Sequence, residues 1–147
     1  VTPNPGASEL FDEIFDPFRP ERGGRPIENS EAPAIDAPFD ATRCPSPGDR
    51  AQAVSCAIFV LGNLLGGTMA HEVAHSLGLA DPEGDQFHNQ RDRPNHLMDA
   101  GFDRPFVERA QLQGRGPEYF CTENYAYLTE ILPTSERDPM QGRTSCF

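Results

Sequence analysis

All four histidines of this 147-residue chain, His71, His75, His88 and His96, fall within 26 consecutive residues, and the other 121 residues contain none. Two of them stand four apart in "GTMAHEVAHSLGLAD" (67–81), with Glu72 directly after the first. On a helix, residues four apart share a face. His71 and His75 then present two imidazoles to one point, which a zinc ion requires of two of its ligands. Glu72 lies about 100 degrees round the helix from His71, on the flank of that face. From there it reaches a water on the metal without itself being a ligand. Zinc lowers the pKa of such a water towards ~7 and polarises a carbonyl oxygen. A neighbouring carboxylate can take the proton and pass it to a leaving amine. The plainer alternative is two helix histidines beside a solvated glutamate, since the five-residue pattern also occurs by chance.

A catalytic zinc keeps three protein ligands and one open position. Gly78 lets the chain turn sharply out of the helix. Asp81, three residues further on, can return under the metal as a hard oxygen ligand. His88, in "QFHNQ", is the competing third ligand, with the better donor chemistry and a longer path. Asp81 is preferred, because a close turn costs less ordering entropy than a long return. If His71, His75, Asp81 and His88 all bind at once, the shell is closed. The chain would then be a non-catalytic structural zinc domain. A further arrangement takes its third ligand from a later helix, at Glu108 or Glu123, and leaves Gly78 without a role. Asp81, Glu83, Asp85 and Asp92 make an acidic loop that could attract calcium. It lacks the regular ligand spacing of a calcium loop, and a solvated role is expected. His96 is read as packing or hydrogen-bonding behind the site.

"HEVAHSLGLAD" resembles the extended zinc signature of the metzincin clan of metallopeptidases, His-Glu-x-x-His-x-x-Gly-x-x-His/Asp, in the aspartate form of the snapalysin-like branch. "NHLMDAG" (95–101) is similar to the methionine turn that lies under the zinc in that clan, with Met98 as the methionine. The resemblance covers about residues 67 to 101. It implies a zinc endopeptidase with one ion per chain and a polypeptide substrate. His71, His75 and Asp81 (or His88) would be the ligands, Glu72 the general base and acid, and Met98 the support. It also implies a mostly parallel sheet ahead of the zinc helix. Residues 1–50 hold nine prolines and few alternating runs. Either that sheet is much reduced, or it lies upstream of Val1, and an upstream piece of the same precursor is then a partner. Many metzincins place a tyrosine soon after the methionine; here none follows until Tyr119, and Arg104 or His96 are weak substitutes.

The positioning elements follow from the pattern. "SELFDEIFDPF" predicts a short helix capped by Ser8, with Leu10, Phe11, Ile14 and Phe15 as its apolar stripe and Pro17 as its stop. Residues 19–49 read as an ordered loop. Asp49 caps a long helix that runs to Leu77, with Gly78 ending it in the left-handed position. Apolar residues occupy nearly every face from Val54 to Leu65, which predicts deep burial. Gly62, Gly66 and Gly67 weaken the helix and imply close packing or a break near Gly66. A short helix is expected over 104–112 with Pro105 in its first turn, and a last one over 122–132, stopped by Pro133. The fold class is therefore mainly α with extensive irregular loops, or α+β if a reduced metzincin sheet is present. One domain is expected: an irregular 1–50, an active-site helix 51–78, a zinc loop and methionine turn 79–103, and helices with a tail 104–147.

Composition sets the remaining bounds. Net charge is −11, and all twelve basic residues are arginine. Such acidity disfavours nucleic acid and anionic membrane as partners. No apolar run is taken as long enough to span a bilayer. Cysteines at 44, 56, 121 and 146 lack Cys-x-x-Cys spacing and read as two disulfides. Of the three connectivities, Cys44–Cys56 and Cys121–Cys146 are favoured, because each ties an irregular segment to a helix. Disulfides imply a secreted or periplasmic protein.

Overall fold

The computed structural model describes residues 5–31, 39–79, 88–89, 93–100, 104–133 and 143–146. The described part is mainly helical: α1 (Pro5–Phe15), α2 (Arg50–Ser76), α3 (Phe106–Arg109) and α4 (Thr122–Ile131). Among the described residues there is no β-strand. A single parallel bridge, His96 with Tyr119, is the only sheet-like pairing among them. The sheet that the metzincin resemblance implied is thus not among the described residues. The chain forms two compact units, residues 1–64 with 105–116 and residues 65–104 with 117–147.

The first unit is built on α1 and the first half of α2. Its core holds Leu10 and Ile14 from α1, Cys56, Ala57 and Val60 from α2, and Ala110 and Leu112. Phe11 packs on Phe15 and edge-on to Phe106, with ring centroids 4.7 and 5.8 Å apart. α1 starts at Pro5, so Ser8 lies inside it rather than capping it. Proline is well suited to a first helical turn, which is why the helix extends back to it. α3 is shorter than expected, because Gln111, Gln113 and Gly114 turn to positive φ.

The irregular stretch after α1 is ordered by one arginine. Arg50, at the start of α2, donates to Glu31 Oε1 at 2.8 Å and to the carbonyls of Pro17, Arg25 and Pro26. Its guanidinium also lies 4.5 Å from the centre of the Phe18 ring. The planar fork of arginine suits this many acceptors. Hydrogen bonding from Arg50, then from the Glu28 backbone, pushes the Glu31 carboxyl down to about 2. A Cys44–Cys56 disulfide ties the end of this stretch to α2.

α2 is capped by Asp49, whose carboxylate accepts from Gln52 N–H at 3.1 Å. The expectation of deep burial from Val54 to Leu65 does not hold. Val54 and Val60 are fully buried, whereas Leu61 and Leu65 are 49% and 55% exposed. Met69 and Val73 continue that exposed apolar stripe. The core residues of the first unit cover one side of α2, and an apolar residue on the other side is left outward. By length and composition alone α2 is long and apolar enough to cross a membrane, a test that the core helix of a soluble protein also passes.

In the second unit, Ala74, Leu79, Met98 and Leu128 form the core, with Leu77 and Phe120 against it. The Cys121–Cys146 disulfide joins the tail to the start of α4. Thr122 N–H donates to Thr144 O, and Glu123 accepts from Ser145 Oγ and Cys146 N–H. Both disulfides are those favoured from the sequence.

The three glycines of α2 have different surroundings. There is no break at Gly66, and both Gly62 and Gly66 face open space. A Cβ at Gly67 would collide with the Glu118 carboxylate. That carboxylate is buried and held by Arg104 Nη1 at 2.6 Å, so it has little freedom to move. Gly62→Ala and Gly66→Ala should each stabilise the protein by about 0.5–1 kcal/mol through helix propensity. Gly67→Ala should destabilise it by about 1–3 kcal/mol through overpacking. Denaturant unfolding of the three variants checks this ordering, and an equally stabilised Gly67→Ala would refute the close approach.

Candidate metal centre

α2 stops where His75 needs it to stop. Gly78 is left-handed, with φ +93°. Its N–H donates to His75 O, and Leu79 N–H donates back to Ala74 O at 3.0 Å. This pair of bonds is the Schellman closure of a helix end. A Cβ at Gly78 would meet the Tyr127 hydroxyl, which donates to Leu77 O at 3.0 Å. The closure brings the Leu79 carbonyl to 3.0 Å from His75 Nδ1. His71 Nδ1 lies 2.7 Å from Leu97 O.

A carbonyl oxygen can only accept, so both rings carry a proton on Nδ1. Burial, the largest influence, lowers the pKa of His71, and the neighbouring His75, Arg104 and His88 lower it further against the Leu97 bond. With Nδ1 committed to Leu97 O, Nε2 is the ring nitrogen of His71 left to face a metal. That Nε2 lies 3.1 Å from Nε2 of His75. The His88 ring closes the triangle, with centroids 5.1 Å from both other rings. The three ligand nitrogens lie within 4.8 Å of one another.

This arrangement fits a metal ion. Two ring nitrogens this close share either a proton or a metal cation. Nitrogen ligands at about 2.0–2.1 Å from a tetrahedral ion stand about 3.3 Å apart, close to what is seen. Neutral imidazoles oriented by a carbonyl on the other ring nitrogen are the usual ligands of zinc, copper or nickel. His71, His75 and His88 form a group that could hold such an ion.

The other candidates fall into place around it. Glu72 is exposed on α2. Met98 is buried and packs with Ala74 and Leu79, so it supports the helix end that carries His75. Asp81, preferred on sequence grounds, lies outside the described residues, as do Glu83, Asp85 and Asp92 of the acidic loop. His88 is the candidate seen beside His71 and His75. Neither Glu108 nor Glu123 is in the group. Glu123 and the Cys121–Cys146 sulfurs are also close together, but a disulfide offers no thiolate to a metal. His96 is fully buried, with Nε2 2.7 Å from Thr144 Oγ1, and belongs to the packing behind the site.

Sequence reasoning missed the residues that hold the histidines. No residue type marks the Leu79 and Leu97 carbonyls. Asn89 and Asp99 were visible beside His88 and Met98, but their contact, Asn89 Nδ2 to Asp99 Oδ1 at 2.7 Å, spans ten residues. No family model, no curated protein and no solved structure matches the chain.

The buried His96 gives a pH signature. Burial is the chief cause of its lowered pKa, with Asp99 opposing. In the unfolded chain its pKa is about 6.5. Below that value the unfolded state takes up a proton that the folded state refuses. The stabilisation is thus complete above pH ~6.5 and is lost as pH falls through the lower folded value. In metal-free protein the unfolding free energy should decline below pH ~6.5, with at most about 1.4 kcal/mol per pH unit from this group. His96→Gln should remove that share of the slope, and identical slopes in the two proteins would refute it.

Proposed function

We propose that the chain is a zinc-dependent endopeptidase of metzincin type, exported from the cell, with zinc held by His71, His75 and His88. The observation that carries this reading is the convergence of three imidazoles, two of them tied at Nδ1 to backbone carbonyls, on a helix that carries an exposed glutamate beside the first. Three histidine ligands leave a fourth position open, as catalytic zinc sites do. The His-Glu-x-x-His spacing, Gly78 and Met98 support the same reading. The two disulfides support an oxidising compartment.

Bound zinc would supply a water of lowered pKa and an electrophile for the substrate carbonyl. Glu72 accepts the proton of the water as its oxygen adds to the scissile carbonyl carbon. Glu72 then returns that proton to the amide nitrogen as the carbon–nitrogen bond breaks, giving a carboxylic acid and an amine. His71 and His75 keep their geometry throughout, because each Nδ1–H is tied to a backbone carbonyl. Burial lowers the pKa of His71, which favours the neutral ring that a metal requires.

Purified protein should contain about one zinc per chain by metal analysis. His71→Ala should lose the metal. Glu72→Ala should keep metal and fold while peptide hydrolysis drops by about 10²–10⁴-fold, the usual worth of general acid–base catalysis. Wild-type activity in Glu72→Ala, or a folded, active and metal-free protein, would sink the proposal. His88→Ala should weaken zinc binding strongly and Asp81→Ala little. Large losses from both would point instead to a closed four-ligand shell and a structural zinc domain.

A further inference from the structure

We propose that Asp99 is a positioning residue for His88, acting through Asn89, so that the residue after Met98 fixes the third ligand in the metal group. The inference rests on the reading of the three histidines as a metal site. Three consecutive residues hold two of the three ligands. Leu97 O accepts from His71 Nδ1 at 2.7 Å. Met98 O accepts from Asn89 N–H at 3.0 Å. Asp99 Oδ1 accepts from Asn89 Nδ2 at 2.7 Å. Asn89 is bonded directly to His88 in the chain, so its backbone and side chain are both pinned one peptide away from the ligand.

The carboxylate itself is fixed. Asp99 is 1% exposed. Its second oxygen accepts from Arg93 N–H at 2.7 Å. A buried carboxylate that lost such donors would be strongly disfavoured, so the pairing is enforced. His96 Nδ1 stands 4.0 Å from Oδ1. His71 and His75 share one rigid helix and need no such device. His88 stands thirteen residues after His75 and outside that helix, so its position is open unless something ties it down. The Asn89–Asp99 bond provides that tie.

The test uses the full chain, Zn²⁺ affinity by competition with a chromophoric chelator, and the visible absorption of the Co²⁺-loaded protein. Asn89→Ala and Asp99→Asn should each weaken Zn²⁺ binding by about 10–100-fold, the usual effect of removing a group that orients a ligand. Both should shift the Co²⁺ spectrum towards that of His88→Ala. The exchange Asn89→Asp with Asp99→Asn should restore most of the affinity. The amide introduced at position 99 can donate to the carboxylate introduced at position 89, while its carbonyl accepts from Arg93 N–H. In a His88→Ala background, Asn89→Ala should cause no further loss, since the residue acts through His88. Unchanged affinity in Asn89→Ala, or an equal loss in the His88→Ala background, would overturn the inference. If Asp99→Asn fails to fold, these two Asn89→Ala measurements decide alone. A wild-type chain that binds zinc but cleaves no peptide removes the peptidase proposal and leaves this one standing. A wild-type chain that binds no metal removes both.

Discussion

Two hydrogen bonds, from His71 Nδ1 to Leu97 O and from His75 Nδ1 to Leu79 O, set the chemistry of the second unit. A neutral imidazole has one donor and one acceptor, so committing Nδ1 to a carbonyl leaves Nε2 as the acceptor. The two Nε2 atoms then face each other at 3.1 Å, an arrangement that a shared cation, proton or metal, stabilises. Each carbonyl depends on backbone geometry elsewhere. Leu79 is placed by the left-handed Gly78. Leu97 is placed by the bonds that run between residues 95–97 and Tyr119. The site is thus a property of two turns as much as of one helix.

The same turns are anchored to a small core. Met98 fills the space beside Ala74 and Leu79, so the helix end and the turn that follows 95 are packed on a shared side chain. Below the tail, Arg143 donates to Phe120 O and lies 4.0 Å from the Tyr125 ring centre. With the Cys121–Cys146 disulfide, these contacts fix the segment that receives Leu97 and His96. The buried Arg104–Glu118 pair lies against Gly67, one turn before His71. A buried ion pair is poor evidence of stability, but this one fixes the packing against that glycine.

The first unit reaches order by different means. The stretch after α1 forms two short 3-10 turns, Asp16–Phe18 and Pro20–Arg22, and Arg50 satisfies three of its carbonyls from outside. The apolar stripe of α2 from Leu61 to Val73 shows the converse: apolar composition produces burial only where another element arrives to cover it.

Local features were legible in the residues alone. Histidine spacing on a helical period put His71 and His75 on one face, Gly78 ended the helix, Asp49 began it, and the cysteine spacing pointed to both disulfides. These are decided within one or two turns, by period, cap and φ preference. Helix ends were less legible, since Pro5 extended α1 past the expected cap at Ser8 and α3 shrank where Gln111 took positive φ. Only the tertiary structure decided which partner joins the two helical histidines, because His88 is brought back by bonds from Asn89 to Met98 and Asp99. It also decided which faces of α2 are buried and which carbonyls orient the rings. Those outcomes depend on contacts between residues far apart in the chain, and no local preference encodes them.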